Sequence, residues 1–150
     1  MKLAAALLSM LLVTGCTAAT AAVPTPTAAP DAPILASEGG VLRPIDNGGR
    51  LPLKTGYATV RLWPSPQSMD PNLQVALFDA SGVASTAEVW VFTEMVDMDH
   101  GTETIPATVR DGVYQMHLSF GMPGSWRLVV HVKRGGVEET FTLVLPWIGL

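Results

Sequence analysis

The sequence predicts an all-β domain, an antiparallel sandwich or barrel, over residues 53–147. From Tyr57 onwards, short runs of valine, leucine and aromatic residues recur between glycine, aspartate and proline at intervals of about ten residues, a spacing typical of antiparallel strands. Apolar and polar residues alternate along several of these runs, as they do in a strand that buries one face. Because no segment of this length shows helical periodicity, we expect strands alone.

Residues 1–15 have the pattern of a secretory signal peptide, in which Lys2 precedes an apolar run. This run is shorter than the roughly 20 residues that a membrane-spanning helix needs. The stretch "LLVTGC" resembles the lipobox of bacterial lipoproteins, although Val13 stands where leucine is more usual. The resemblance implies that the chain is exported, lipidated at Cys16 and anchored to the bacterial cell envelope on its periplasmic or cell-surface side. An unlipidated secreted protein is the alternative.

Residues 16–52 are predicted to be the lipidated cysteine and a disordered, flexible tether. Residues 17–33 are mostly alanine, threonine and proline, a composition that cannot bury a core, and fully stretched they would reach roughly 50 Å. Residues 34–52 are transitional, with glycine pairs as turns and "VLRPI" as a candidate edge strand. Because Cys16 is the only cysteine, the domain contains no thiol, which excludes disulfides, thiolate catalysis and cysteine metal ligands.

The alternation along each strand predicts which side chains form the core. In the run before residue 96, both faces are apolar, so that Val89 and Val91 compete with Trp90 and Phe92 for the buried side. Each of the last three runs has one clearly apolar face, and the members of these faces are Tyr114, Met116, Leu118, Phe120, Trp126, Leu128, Val130, Val132, Phe141, Leu143 and Leu145. Two sheets packed on these faces would bury Phe120, Trp126, Leu128, Phe141 and Leu143.

Two stretches, "VWVFTEMVDMDHG" and "ATVRDGVYQMHLSFGMPGSWRLVVHV", combine a methionine- and histidine-containing loop with a Met-Pro-Gly-x-Trp segment. Together they resemble the YtkA-like domain family, which is related to the FixH proteins of bacterial envelopes. The resemblance covers roughly residues 55–145 and implies an immunoglobulin-like antiparallel β-sandwich of about seven strands. It implies no single activity, although some relatives occur beside copper proteins. The matching residues are Met95, Met98, His100, Gly112, Tyr114, Met122, Pro123, Gly124 and Trp126.

Methionine and histidine are the only soft metal ligands in this domain, and they are clustered. Residues 95–122 contain four of the five methionines of the mature chain and two of the three histidines. Thioether sulfur and imidazole suit Cu(I). Met98 and His100 would lie on one side of an extended chain, next to Met95 at the end of a strand. We therefore predict a Cu(I) site formed by Met95, Met98, His100 and Met122, provided that Met122 lies beside the others in the fold.

Other interpretations of these residues stay open. Methionine is a flexible core filler, and Met116 has the parity of a core residue. The loop that contains Met98 would also suit a protein-interaction module of an envelope complex, because methionine offers an adaptable apolar surface. His117 and His131 have outward parity on successive strands, so they could form a metal pair if those strands are neighbours.

Charge and motifs exclude several function classes. The formal net charge is −4 and the basic residues are scattered, so nucleic acid is not an expected partner. A calcium loop is not predicted, because the glycine of Asp97-x-Asp99-x-Gly101 comes one position early and the distal glutamate is missing. The sequence contains no Gly-x-Ser-x-Gly, His-Glu-x-x-His or phosphate-binding glycine loop, so we expect a binding protein and no enzyme.

Overall fold

The computed structural model describes residues 33–38, 40–98 and 101–149, so the predicted signal peptide and Cys16 lie outside the described residues. The regular structure within these ranges is entirely β-strand, which confirms the all-β class. The same ranges contain no helix that is long and apolar enough to cross a bilayer. The strands in this part of the chain are β1 (Ile34–Glu38), β2 (Val41–Ile45), β3 (Arg50–Leu53), β4 (Gly56–Trp63), β5 (Asn72–Phe78), β6 (Glu88–Met95), β7 (Glu103–Pro106), β8 (Thr108–Arg110), β9 (Val113–His117), β10 (Gly124–Arg134) and β11 (Val137–Ile148).

These strands form two antiparallel sheets that pack face to face, which confirms the predicted sandwich. The first sheet has six strands in the order β2-β1-β11-β10-β6-β7, and the second has five in the order β3-β4-β5-β9-β8. The described residues thus hold more strands than the about seven implied by the resemblance. The difference arises because β1, β2 and β3 widen the two sheets on one side, and the short β7 and β8 widen them on the other.

The sandwich begins at Ile34, inside the segment for which composition predicts a tether. In the first sheet, β1 pairs with β11 and with β2, and in the second sheet β3 pairs with β4. Ile34 and Ala36 are buried in the core. These short strands are buried by contacts with strands that are distant in the sequence, and their own composition does not indicate those contacts. The predicted start of the domain at residue 53 therefore moves to residue 34.

Alternation along the strands gives the core that the sequence predicts. The ambiguous strand β6 buries Val89 and Val91, whereas Trp90 and Phe92 lie on the outer face. Burial of one large aliphatic side chain stabilises a fold by about 1.5–3 kcal/mol, so the alignment of these faces dominates the stability. The five residues predicted to be buried are buried, and so are the other members of the three apolar faces, namely Tyr114, Met116, Leu118, Val130, Val132 and Leu145.

The two successive strands β9 and β10 belong to different sheets, so they do not form the hairpin that their order suggests. The chain crosses from one sheet to the other through residues 118–123. His117 and His131 consequently lie on opposite outer faces, and the idea that they form a metal pair is wrong. His131 instead stacks on Trp90 with ring centroids 5.0 Å apart, and its Nδ1 lies 2.7 Å from Glu138 Oε1. This contact explains how a tryptophan is accommodated on the outer face.

The edge strands are poorly suited to pairing with a further strand. Pro44, Pro52 and Pro106 lie in β2, β3 and β7, and β8 is only three residues long. Proline lacks the N–H group that a sheet ladder needs, and natural proteins use proline and short strands to protect sheet edges. We therefore look for function at the loops that close the ends of the sandwich.

One of these ends contains most of the residues of interest, and we call it the methionine end. A hydrogen bond from Gly149 N to Gln67 O at 3.2 Å links the two sheets there, and one from Phe120 N to Met69 O at 2.8 Å extends the pairing of β5 with β9. The described chain also begins at this end. Pro33 precedes Ile34, the first residue of β1, which pairs with Ile45 at the last position of β2. The methionine end comprises residues 33, 46–49, 63–71, 95–98, 101–102, 117–124 and 147–149.

Candidate functional site

Four of the five methionines after Cys16 lie at the methionine end, although they come from three separate segments. Met69 lies in the loop between β4 and β5, Met95 ends β6, Met98 lies in the loop that follows, and Met122 lies in the crossing between the sheets. Met116 is different, because it is buried in the core at 1 % exposure. Core packing thus accounts for Met116, Met69 and Met95 are partly buried against the same core, and Met98 is exposed.

Met95 is held beside the crossing segment by the β6–β10 ladder. Its backbone pairs with Trp126, and the following amide, Val96 N, donates a hydrogen bond to Ser125 O at 2.9 Å. Gly124 has a φ of +150°, and a Cβ added there would lie 2.5 Å from the ε-methyl carbon of Met95. The absent side chain at Gly124 therefore makes room for the Met95 thioether, which is half-buried at this position.

Met98 and Met95 line the same surface depression, which has a volume of about 400 Å³. Met98 is 52 % exposed, so its sulfur is open to a ligand from solvent. Two carboxylates also line the depression, those of Glu94 and Asp97, and Arg127 Nη1 donates to Glu94 Oε1 at 2.7 Å. The structure thus brings two of the predicted soft ligands to one acidic depression.

The other two predicted ligands are placed less directly. His100 lies outside the described residues. Met122 is half-buried, and its carbonyl oxygen accepts a hydrogen bond from Trp126 Nε1 at 3.2 Å. Met122 does not line the depression, but it lies two residues before Gly124, where an added Cβ would lie 2.5 Å from the Met95 ε-methyl carbon.

Met69 also lies at this end of the sandwich, although no motif around it in the sequence predicts that position. A Cβ added at Gly149 would lie 2.7 Å from Met69 Sδ and 3.2 Å from the Cβ of Pro123, the residue after Met122. Met69 and the crossing segment therefore meet over Gly149. This proximity depends on the pairing of distant strands, so the spacing of methionines along the sequence does not indicate it.

Two exposed tryptophans, which the sequence interpretation did not single out, lie at the same end. Trp63 ends β4 and is 54 % exposed, and Trp147 lies near the end of β11 and is 64 % exposed. Alternation from Leu145 would bury residue 147. Trp147 has a φ of 56°, however, and this left-handed conformation reverses the alternation, so that Ile148 is buried in its place.

The described residues were searched for clusters of side chains that commonly hold metal ions. They contain no group of three or more histidine, cysteine, aspartate or glutamate side chains that could hold a metal ion. Thioether ligands fall outside that set, and they select Cu(I) over hard cations such as Ca²⁺.

Comparison with known proteins gives a family match over the middle of the chain. Residues 59–131 match the family model described as YtkA-like. No curated protein and no solved structure matches the chain. The matched part runs from β4 into β10, and it includes the four methionines of the methionine end but not Trp147.

Proposed function

Because the chain contains a YtkA-like domain over residues 59–131, we propose that it is a Cu(I)-binding protein and that copper binds at the methionine end. The ligands in this proposal are Met95, Met98 and His100, with Met122 from the crossing segment. The domain belongs to a lipoprotein anchored to the bacterial cell envelope through Cys16. Its task is to hold copper for, or keep it from, a partner in the membrane, and it catalyses no reaction itself.

The observation that carries this proposal is the shared depression of Met95 and Met98. Two thioethers on one open surface, in a domain without cysteine, form a donor pair that Cu(I) accepts and that harder cations do not. His100 lies between Met98 and Gly101 in the sequence, and both of these neighbours line the depression. Imidazole is a third donor that suits copper.

The charges around the depression support cation binding. Arg127 is paired with Glu94, and it offsets that carboxylate. Asp97 is exposed and forms no ion pair with any residue that the structure describes, so its negative charge raises the local concentration of cations beside Met98. Exposure of Met98 also allows copper to pass to a second protein without unfolding of the domain.

A competition titration tests the proposal. The full chain is titrated under reducing, anaerobic conditions with Cu(I) held by a chromophoric chelator at micromolar concentration. We expect the wild-type chain to withdraw copper from the chelator, and we expect the double variant Met95→Leu, Met98→Leu to bind at least about tenfold more weakly, a loss of about 1.4 kcal/mol. The matched control is Met116→Leu, because it removes a core thioether at nearly constant volume.

Unchanged affinity in the double variant, or equal losses in the double variant and in Met116→Leu, would contradict this assignment. The comparison separates ligand loss from general destabilisation, since Leu for Met usually costs less than about 1.5 kcal/mol even in a core. Adding His100→Gln to the wild type tests the imidazole donor separately. A smaller loss than that of the double variant would identify His100 as an accessory ligand.

A second candidate function is a metal-independent protein-interaction module of an envelope complex. It is favoured by the exposure of Val96 at 40 % and Met98 at 52 % on one loop, because isolated apolar side chains of this size suit an adaptable contact surface. This function predicts that Val96→Ser with Met98→Ser abolishes recovery of a partner in chelator-treated buffer. Recovery that is insensitive to both substitutions would count against it.

A further inference from the structure

We infer that the methionine end docks onto the lipid surface and that the indole rings of Trp63 and Trp147 enter the headgroup region of the bilayer. This inference rests on the proposed lipid anchor at Cys16, but it is independent of copper. It assigns an orientation to the domain, which an anchor on a tether does not by itself impose.

The first observation is the position of the two tryptophans. Trp63 and Trp147 are 54 % and 64 % exposed, whereas the other two tryptophans of the chain, Trp90 and Trp126, are half-buried and buried. Tryptophan is enriched where membrane and water meet, because it has a large apolar ring and one N–H donor. The two most exposed tryptophans lie at the same end of the sandwich, on different sheets.

The second observation is the backbone at Trp147. A φ of 56° is an unusual conformation for a bulky side chain, and here it turns the indole outwards while Ile148 fills the core. A residue held in such a region is a reason to look for a function of its side chain. Exposure of Trp147 is thus built into the end of β11, where simple alternation would have buried it.

The third observation is where the chain enters the sandwich. Pro33 and Pro66 line one cavity of about 420 Å³, so the first described residue lies beside the loop that follows Trp63. Residues 17–33, the predicted tether, connect this point to Cys16. A flexible tether keeps the end from which it leaves nearest to the bilayer, and weak contacts made there act at high effective concentration.

Charge decides which lipid surface fits. Arg61 lies two residues before Trp63 on the same outer face, and it has no ion pair among the residues that the structure describes, so it can contact a lipid phosphate. Asp46, Asp70 and Asp97 are exposed at this end and would oppose a strongly anionic surface. The chemistry therefore matches a zwitterionic surface that is held by aromatic side chains and depends little on salt.

Docking in this way leaves the copper depression accessible. Trp147 lies on β11 and Trp63 on β4, near the side of the sandwich formed by β1, β2 and β3. The depression of Met95 and Met98 lies at the end of β6, towards the opposite edge of the first sheet. Arg61, Trp63 and Trp147 do not line the depression, so the docking and the copper site can each fail in an experiment without the other.

The test measures tryptophan quenching by lipids. The full lipidated chain is recovered from its membrane and reconstituted in phosphatidylcholine vesicles whose acyl chains are brominated near the headgroup. We expect its tryptophan emission to fall relative to unbrominated vesicles, and we expect most of this loss to vanish in the double variant Trp63→Phe, Trp147→Phe. If Trp63→Phe and Trp147→Phe each retain half of the fall in emission seen in the wild type, both rings lie at the interface.

The matched control moves a tryptophan to the other end. Val137 begins β11 at the end opposite to the methionine end and is 55 % exposed. In the double-phenylalanine background, Val137→Trp restores an exposed indole that we expect bromine not to quench. Equal quenching of this control, or quenching unaffected by loss of Trp63 and Trp147, would overturn the inference.

Two further outcomes separate this inference from the proposed function. Recovery of the chain in the soluble fraction would refute the anchor, and the soluble chain mixed with the same brominated vesicles at millimolar lipid would then decide the docking. Indoles that are shielded from iodide in the native envelope but unquenched in pure lipid vesicles would overturn lipid docking and point to a protein partner. Copper affinity that is unchanged in the double-phenylalanine variant is expected in every case.

Discussion

Substitution of Gly124 by alanine probes the position of Met95 most sharply. An added Cβ would lie 2.5 Å from the Met95 ε-methyl carbon, about 1 Å closer than carbon atoms normally approach. Gly124 also has a φ of +150°, a region in which residues other than glycine cost about 1–3 kcal/mol. We expect Gly124→Ala to lower the free energy of unfolding by roughly that amount.

Thermal and denaturant unfolding measure this loss. For a domain of this size, 1 kcal/mol corresponds to a change in Tm of about 4 °C, so the expected decrease is about 4–12 °C. The control is Gly121→Ala in the neighbouring crossing segment, where an added Cβ meets no atom within 4 Å. A Gly124→Ala protein as stable as Gly121→Ala would contradict the backbone strain expected at residue 124.

Combination with Met95→Ala separates the two causes of the loss. Removal of the Met95 thioether abolishes the contact but leaves the backbone conformation at Gly124 unchanged. Gly124→Ala should therefore lower the free energy of unfolding by less in the Met95→Ala background. The loss that remains there measures the backbone strain alone. Equal costs in both backgrounds would mean that the ε-methyl group moves aside freely.

The other predictions concern stability away from the copper ligands. Trp147→Asn should raise the free energy of unfolding by about 1 kcal/mol, because asparagine tolerates the left-handed conformation that Trp147 adopts; a loss in denaturant unfolding would contradict this. Glu139→Ala should cost about 2–3 kcal/mol, since the Glu139 carboxylate is 8 % exposed and accepts hydrogen bonds from the Thr55 hydroxyl and the Lys54 amide; a loss below half of that would argue against these bonds. Hydrogen bonds from the Ser81 hydroxyl and nearby backbone amides lower the pKa of Asp79, so this carboxylate stabilises the fold above about pH 4 and the effect is lost as pH falls through the lowered pKa. The difference in urea stability between wild type and Asp79→Asn should therefore be larger at pH 7 than at pH 2, and an unchanged difference would refute it.

Alternation along the chain was sufficient to predict the central strands. β9, β10 and β11 bury one face each, so a polar residue at every second position marks the solvent side. It was insufficient for β6, because His131 stacks on Trp90 and lies 4.7 Å from the Phe92 ring, and these contacts allow aromatic residues on the outer face. The sequence of β6 alone does not show that a side chain from another strand packs against its outer face.

Long-range pairing explains the remaining differences between prediction and structure. β1 and β2 are only five residues long and β2 contains Pro44, yet they extend the first sheet because β1 pairs with the edge of β11. Trp147 follows the apolar alternation of β11, and only its left-handed backbone places it outside. The sequence alone could therefore not have shown that the chain enters the sandwich at the end where Trp63 and Trp147 are exposed.

The candidate site was predictable where it is local. Met95 and Met98 are three residues apart at the end of one strand, and they share a depression. Met122 lies in the crossing between the sheets and does not line that depression. Met69 arrives through the packing of Gly149, which no spacing rule anticipates.

X-ray absorption at the copper edge of the Cu(I)-loaded full chain tests the proposed copper site most directly. Copper held by Met95 and Met98 predicts sulfur atoms in the first coordination shell, a decrease of this sulfur signal in Met98→Leu, and a full signal in the core control Met116→Leu. A first shell of nitrogen and oxygen alone would contradict the proposal. So would a sulfur signal that is unchanged when both Met95 and Met98 are replaced by leucine.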